Sequence, residues 1–103
     1  HGDQWIAELV EGLDHNRHLL SALLNEHLPQ VRYRLPQATY LSWLDCRALD
    51  LGDDPAEVFL SRGKVALNSG LDFGVEGAGF VRLNFATSPE MLTMLVERMA
   101  SVV

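Results

Sequence analysis

Residues 79–92 of this chain have the sequence GFVRLNFATSPEML, and this stretch decides the fold class. Its first half, residues 80–86, predicts a strand, because apolar side chains recur at every second position. Successive side chains of a strand point to opposite faces of the sheet. Val81, Leu83 and Phe85 therefore form one apolar face, which we expect helices to cover.

A helix is predicted directly after this strand. Ser88 and Pro89 are residue types preferred at the N-cap and at the first helical position. The residues beyond them carry apolar side chains at helical spacing, which predicts an amphipathic helix. That apolar stripe consists of Met91, Leu92, Leu95, Val96 and Met99.

Two more strands and a short helix are predicted upstream. Residues 64–68 (KVALN) and residues 40–47 (YLSWLDCR) are rich in bulky side chains. Apolar and polar side chains do not alternate cleanly in residues 40–47, so we expect this strand to be covered on both faces. Between the two segments, Asp54 and Pro55 predict the start of the short helix, with Asp54 as its cap. Gly63 predicts its end, in the left-handed conformation.

The chain opens with a long predicted helix, for which Asp3 is a suitable N-cap and Pro29 a stop. Arg17 interrupts its apolar stripe, although arginine methylene groups lie readily along apolar surface. A short extended segment, residues 31–34, follows. The predicted fold class is therefore α+β, a small and largely antiparallel sheet with helices packed on one face. The stripe of the first helix consists of Trp5, Leu9, Leu13, Leu20, Leu24 and Leu28.

Size and composition narrow the classes of function. The 103 residues, 48% hydrophobic and 21% charged, are typical of one globular domain. A net charge of −6 opposes nucleic-acid binding, which depends on neutralising phosphates. No apolar run approaches the roughly 20 residues that span a bilayer, so no membrane partner is expected. The single cysteine excludes an internal disulfide, and we expect a cytoplasmic protein. Because the first residue is His1, we also expect a fragment of a longer chain.

Three features suggest sites that the sequence does not complete. His15 and His18 can share a helix face, but no carboxylate–histidine motif supplies a third ligand, so no metal site is predicted. Cys46 has no base partner nearby and is expected to be a small buried hydrophobic residue. The glycines of residues 74–79 precede a strand rather than a helix, which predicts a connection between strands instead of a phosphate loop.

Arg82 and Asn84 project together from the strand face opposite Val81 and Leu83. An unpaired buried guanidinium is unfavourable, so Arg82 must meet a carboxylate or reach a cleft. The residues leave two interpretations open. They favour a structural ion pair, with Asp45 as one candidate partner. The other is a bidentate clamp for a ligand carboxylate, which a planar guanidinium fits well.

Three segments carry a resemblance to a known family: ATYLSWLDCRAL (38–49), KVALNSGLDFG (64–74) and GFVRLNFATSPEML (79–92). In this order and at these intervals they resemble the C-terminal part of class I/II aminotransferases, which depend on pyridoxal phosphate (PLP). Within that class they are most similar to the MalY/PatB-type carbon–sulfur β-lyases, the cystathionine β-lyase relatives. The opening GDQWIAELVEGLDHNR is similar to the family's long helix leading into the small domain.

The resemblance implies that residues 1–103 form the single C-terminal small domain of a larger PLP enzyme acting on amino acids. In this family the small domain closes over PLP and supplies the arginine that binds the α-carboxylate of the substrate. The match to the R-L-N-x-A strand gives that role to Arg82, with Tyr40 and Asn84 as further substrate contacts. No catalytic residue is assigned to this chain. The implied partners are the amino-acid substrate, the large domain and, at full length, a second copy in a homodimer.

PLP is the cofactor implied for the full-length protein. The lysine that binds it covalently, the aspartate at its pyridinium nitrogen and the phosphate-binding residues belong to the family's large domain. Lys64 is the only lysine here and lies in a predicted small-domain strand, so the isolated chain is expected to be inactive. The choice between β-elimination and transamination stays open. The alternative to an enzyme part is a stand-alone carboxylate-binding or protein-interaction module.

Overall fold

The computed structural model describes the backbone of residues 2–33 and 41–103 and the side chains of residues 11–33 and 41–103. Short 3₁₀ turns cover Arg47–Leu49, Gly70–Phe73 and Val75–Gly77. The helices are α1 (Gly2–His27), α2 (Pro55–Gly63) and α3 (Pro89–Ala100), and the strands are β1 (Arg32–Tyr33), β2 (Leu41–Asp45), β3 (Asn68–Ser69) and β4 (Phe80–Asn84).

The four strands form one antiparallel sheet in the order β1-β2-β4-β3. The strand β4 is central, with Trp43 of β2 opposite Arg82 and Asn68 of β3 on its other side. The predicted α+β class is confirmed. The stretch chosen from the sequence thus supplies the strand around which the sheet is built.

The core lies between the sheet and the helices. Val81, Leu83 and Phe85 are fully buried, so the predicted apolar face of β4 is confirmed. Removing a large aliphatic or aromatic side chain from water stabilises a fold by roughly 1.5–3 kcal/mol. Leu28, just after α1, belongs to the same cluster, and the helices contribute Leu20, Leu24, Phe59, Leu92, Val96 and Met99.

The strand β2 has one covered face, so the expectation of cover on both faces is wrong for this chain. Ser42 and Leu44 are buried, and Cys46 continues the same side beyond the strand end. Trp43, on the other side, is 42% exposed. The physical reason is that the described helices cover one side of the sheet only. The strand is also shorter than predicted, because Cys46 N–H donates to the Gly79 carbonyl and a 3₁₀ turn begins.

The helix α2 covers the predicted residues, but the interactions at its two ends differ from the prediction. The Asp54 side chain makes no cap hydrogen bond, and its Oδ1 accepts instead from Ser69 Oγ at 2.7 Å. Gly63 is still helical, while Lys64 takes the left-handed conformation at φ 59°. Gly63 is required for contact with α3, since a Cβ there would lie 2.9 Å from the carbonyl oxygen of Arg98.

The strand predicted over residues 64–68 is displaced towards the C-terminus. After the left-handed turn at Lys64, Val65 is buried in the core, and only Asn68 and Ser69 pair with β4. At the other end of β4, the Asn84 side chain accepts from Ala86 N–H at 2.8 Å and ends the ladder before residue 86.

The helices α3 and α1 agree with their predictions in part. Ser88 Oγ accepts from Met91 N–H at 3.1 Å, which confirms the predicted cap of α3. Met91 itself is 43% exposed and lies outside the buried stripe. The helix α1 ends at His27, just before the predicted stop, but begins at Gly2, so Asp3 lies inside it. Among the described residues, no helix has the length and apolarity needed to cross a bilayer.

Candidate substrate-binding site

Arg82 occupies the middle of the central strand, on the sheet face opposite the helices. Its lateral neighbours are Trp43 on β2 and Asn68 on β3. This position is fixed by strand pairing on both sides, so the backbone under the guanidinium is rigid.

The predicted ion pair between Arg82 and Asp45 is not formed. Asp45 stands opposite Phe80 in the ladder and is engaged by Arg47, whose Nε and Nη2 donate to its two carboxylate oxygens at 2.9 and 2.8 Å. This side-chain hydrogen bond is the main reason why the pKa of Asp45 lies below its ordinary value. Asp45, the carboxylate that the sequence suggested as a partner of Arg82, is therefore already paired with Arg47.

Arg82 has no ion-pair partner among the residues that the structure describes. Its Nε is buried and has no hydrogen-bond partner there. A buried donor without an acceptor is costly, by about 1–3 kcal/mol for a neutral group and more for a charged one. The arrangement therefore suits an Arg82 guanidinium that binds an acceptor on a ligand.

The contact that Arg82 does make is aromatic. Its guanidinium carbon lies 4.5 Å from the centre of the Phe73 ring. Trp43 packs edge-on against the same ring, with 5.2 Å between the two ring centres. Beside them is a cavity of about 320 Å³ lined by Trp43, Phe73, Glu76, Gly77 and Phe80.

The other two predicted substrate contacts are Asn84 and Tyr40. Asn84 shares the face of Arg82 and is exposed, and its Oδ1 already accepts from Ala86 N–H. Its side-chain amide nitrogen is the group that remains for a ligand. Tyr40, with Ala38 and Thr39, lies outside the described residues.

The histidine pair, Cys46 and the glycine-rich segment have the following surroundings in the structure. His18 lies 3.7 Å from Asp14 across one helical turn, and the described residues contain no group of three side chains able to hold a metal ion. Cys46 is fully buried, and burial raises the pKa of its thiol to about 12. The glycine-rich segment joins β3 to antiparallel β4, as predicted.

Comparison with known proteins assigns the fold to a family. No family model matches the chain. A candidate cystathionine β-lyase of Mycobacterium tuberculosis is 49% identical over 116 aligned positions, which cover 96% of this chain and 28% of that protein. Cystathionine β-lyase PatB of Bacillus subtilis is 39% identical over 84% of this chain and 23% of its own length.

A solved structure agrees with these relatives. A candidate PLP-dependent β-cystathionase of Corynebacterium diphtheriae superposes with a TM-score of 0.90 at 39% identity, over 100% of this chain and 27% of that one. The chain belongs to the family of PLP-dependent carbon–sulfur β-lyases and aminotransferases. A PLP-bound candidate aminotransferase of Clostridium difficile superposes with a TM-score of 0.91 at 35% identity, over 99% of this chain and 27% of that one.

The chain spans about a quarter of the length of these family members. PLP enzymes hold their cofactor on a lysine. The only lysine here, Lys64, is exposed at the end of α2 and donates from Nζ to the Ser61 carbonyl at 3.2 Å. Lys64 is not among the residues that line the cavity beside Arg82.

Two residues that matter for this site were missed in the sequence. Phe73, in the glycine-rich connection, packs against the guanidinium of Arg82. The two residues are nine positions apart, and no local sequence pattern predicts such a contact. Asn16 is 4% exposed and donates from Nδ2 to the Phe85 carbonyl at 2.9 Å. Its signal was available, because Asn16 is a polar residue between Leu13 and Leu20 in the apolar stripe of α1.

Proposed function

We propose that this chain is the small domain of a PLP-dependent carbon–sulfur β-lyase or aminotransferase, and that Arg82 binds the α-carboxylate of its amino-acid substrate. The observation that carries the proposal is the state of Arg82 itself. It is a cation at the centre of the sheet, with a buried Nε that has no hydrogen-bond partner among the described residues. Asp45, the carboxylate expected to pair with it, is bound by Arg47.

The chemistry of a guanidinium favours this ligand. Its planar fork offers two parallel N–H donors that match the two oxygens of a carboxylate. Hydrogen bonds to charged groups of this kind contribute about 1.5–3 kcal/mol each. Held this way by its carboxylate, an amino acid has its α-carbon in a fixed position and orientation, which is a large part of what an enzyme contributes to a reaction at that carbon.

Three further parts of the proposal concern the whole protein. The family relationship supports residues 1–103 as one small domain, with a large domain that holds PLP on its own lysine. PLP supplies the electron sink for reactions at the α-carbon of amino acids. We further propose a cytoplasmic homodimer as the full-length form. The isolated chain, without that lysine, is expected neither to bind PLP covalently nor to turn over any amino acid.

The test uses the full-length enzyme that contains this chain. Arg82→Ala removes both the charge and the fork, and we expect kcat/KM for cystathionine or another amino-acid substrate to fall about 100-fold or more. Arg82→Lys keeps the charge and should fall between the alanine variant and wild type. The PLP absorbance band should be unchanged in both variants, because the cofactor is held elsewhere.

A matched control is Arg62→Ala, which makes the same substitution at an exposed arginine of α2. It should leave kcat/KM within about twofold of wild type. If Arg82→Ala had normal kinetics but a much lower melting temperature, the role of Arg82 would be structural and the proposal wrong. Full carboxylate affinity in the isolated chain would support a stand-alone binding module instead. Product analysis separates β-elimination, which releases a thiol, from transamination.

A further inference from the structure

Phe73 lies on a short loop whose two ends touch. Residues 70–77 consist of two 3₁₀ turns, Gly70–Phe73 and Val75–Gly77, joined at Gly74. A Cβ on Gly70 would clash with the carbonyl oxygen of Gly77, and a Cβ on Gly77 would clash with that of Gly70. The close approach of these two glycines closes the loop at its base and fixes where Phe73 stands.

Further hydrogen bonds hold the loop in shape. Ser69 Oγ accepts from Leu71 N–H at 3.2 Å, and Gly77 N–H donates to the Gly74 carbonyl at 3.0 Å. Beyond the loop, Gly79 N–H donates to the Asp53 carbonyl at 2.8 Å. The loop that carries Phe73 is therefore held in place by hydrogen bonds, although the Phe73 side chain is 50% exposed.

The contact between Arg82 and the ring of Phe73 leaves the arginine able to bind an anion. The guanidinium carbon is 4.5 Å from the ring centre, within the range of cation–π attraction. A phenyl ring offers its π face to the cation and has no oxygen or nitrogen acceptor, so the N–H donors of the guanidinium remain available for a carboxylate. Trp43, edge-on to Phe73 with 5.2 Å between ring centres, in turn restricts the Phe73 ring.

We propose that Phe73 is a positioning residue that holds the plane of the Arg82 guanidinium for the substrate carboxylate. This inference rests on the proposed function of Arg82. A long and flexible arginine side chain loses rotamer freedom when it binds a ligand. A guanidinium already held against Phe73 has lost part of that freedom before the substrate arrives, so the binding step itself is more favourable.

The experiment measures kinetics of the full-length enzyme in four variants of residue 73. Phe73→Leu and Phe73→Met remove the ring, and we expect KM to rise about three- to tenfold with kcat changed less than twofold. The two substitutions serve together, so that one variant is available if the other does not fold. Phe73→Tyr keeps the ring and should keep a wild-type KM, and Phe73→Trp should stay within about twofold. Val75→Ala, at an 84% exposed position of the same loop, is the control and should change nothing.

A double-mutant comparison separates positioning from a structural role. In the Arg82→Ala background, Phe73→Leu should alter kcat/KM by less than twofold, because the guanidinium that it orients is absent. Equal losses in both backgrounds would mean that Phe73 only maintains the fold, and would overturn the inference. A wild-type KM in Phe73→Leu, with Arg82→Ala impaired about 100-fold, would overturn this inference and leave the proposed function intact. Normal kinetics in Arg82→Ala would overturn both.

Discussion

Asn16 of α1 and Phe85, the residue after β4, are joined by a buried hydrogen bond. Asn16 Nδ2 donates to the Phe85 carbonyl oxygen at 2.9 Å and also reaches the carbonyl of Thr87. Asn16 is 4% exposed, and Phe85 is fully buried. The long helix is thereby bonded to the segment that follows the strand of Arg82, so one amide connects the helical layer to the strand of the candidate site.

We expect Asn16→Ala to destabilise the chain by about 1–3 kcal/mol, because it leaves the buried Phe85 carbonyl without its donor. Asn25→Ala makes the same change in the same helix at an exposed position, where Oδ1 accepts from the Tyr33 hydroxyl at 3.1 Å. It should cost less than about 0.5 kcal/mol. Urea unfolding of both variants measures the difference. Equal losses would show that the Asn16 bond is no stronger than a surface contact.

Two glycine substitutions should have opposite signs. Gly63→Ala places a Cβ 2.9 Å from the Arg98 carbonyl oxygen and 3.0 Å from Val102 Cγ2, so α2 and α3 must separate. We expect a loss of about 1–3 kcal/mol. Gly12→Ala, within α1, meets no atom within 4 Å and should gain about 0.5–1 kcal/mol from helix propensity. Thermal melting of each variant tests this, and a stabilised Gly63→Ala would contradict the close packing of α2 on α3.

The Asp45–Arg47 pair should make stability depend on acid pH. The hydrogen bond from Arg47 lowers the pKa of Asp45 below its ordinary value of 3.8. A carboxyl whose pKa is lower in the folded state stabilises the fold above its ordinary pKa, and this contribution is lost as pH falls through the folded value. The free energy of unfolding, measured from about pH 5 to about pH 2, should therefore fall more steeply in wild type than in Asp45→Asn.

Arg47→Gln provides the matching test of the same pair. It removes the guanidinium donors and leaves the Asp45 carboxyl and the backbone N–H of residue 47, which also donates to Asp45, so the pH dependence should become shallower than in wild type. A steep dependence that persists in Arg47→Gln would assign the acid sensitivity to another group.

The thiol of Cys46 should be inert in the folded chain. It is fully buried, and burial raises its pKa to about 12, so almost no thiolate exists near neutral pH. Reaction with a thiol reagent such as Ellman's reagent should be at least about 100-fold slower in the native state than in denaturant. Rapid labelling of native protein would show that the β2 end opens frequently.

The extent to which the sequence predicts this fold differs between elements. The face formed by Val81, Leu83 and Phe85 and the Ser88 cap were both predictable, because strand alternation and helix capping depend on neighbours in the chain. The ends of α2 were not. Gly63 suggested a left-handed cap, but the glycine is needed for contact with α3, and Lys64 takes the positive φ instead.

The candidate site likewise combines features that the sequence predicts with features that it does not. The sequence by itself determined that Arg82 projects from the face opposite the core, because the period of two leaves no other arrangement once Val81 and Leu83 are buried. Only the tertiary structure decided its partners. Asp45 was the natural candidate on an adjacent strand, yet the register sets it opposite Phe80, within reach of Arg47. The loop of residues 70–77 brings Phe73 over the guanidinium, and such long-range contacts follow from packing, which no local pattern encodes.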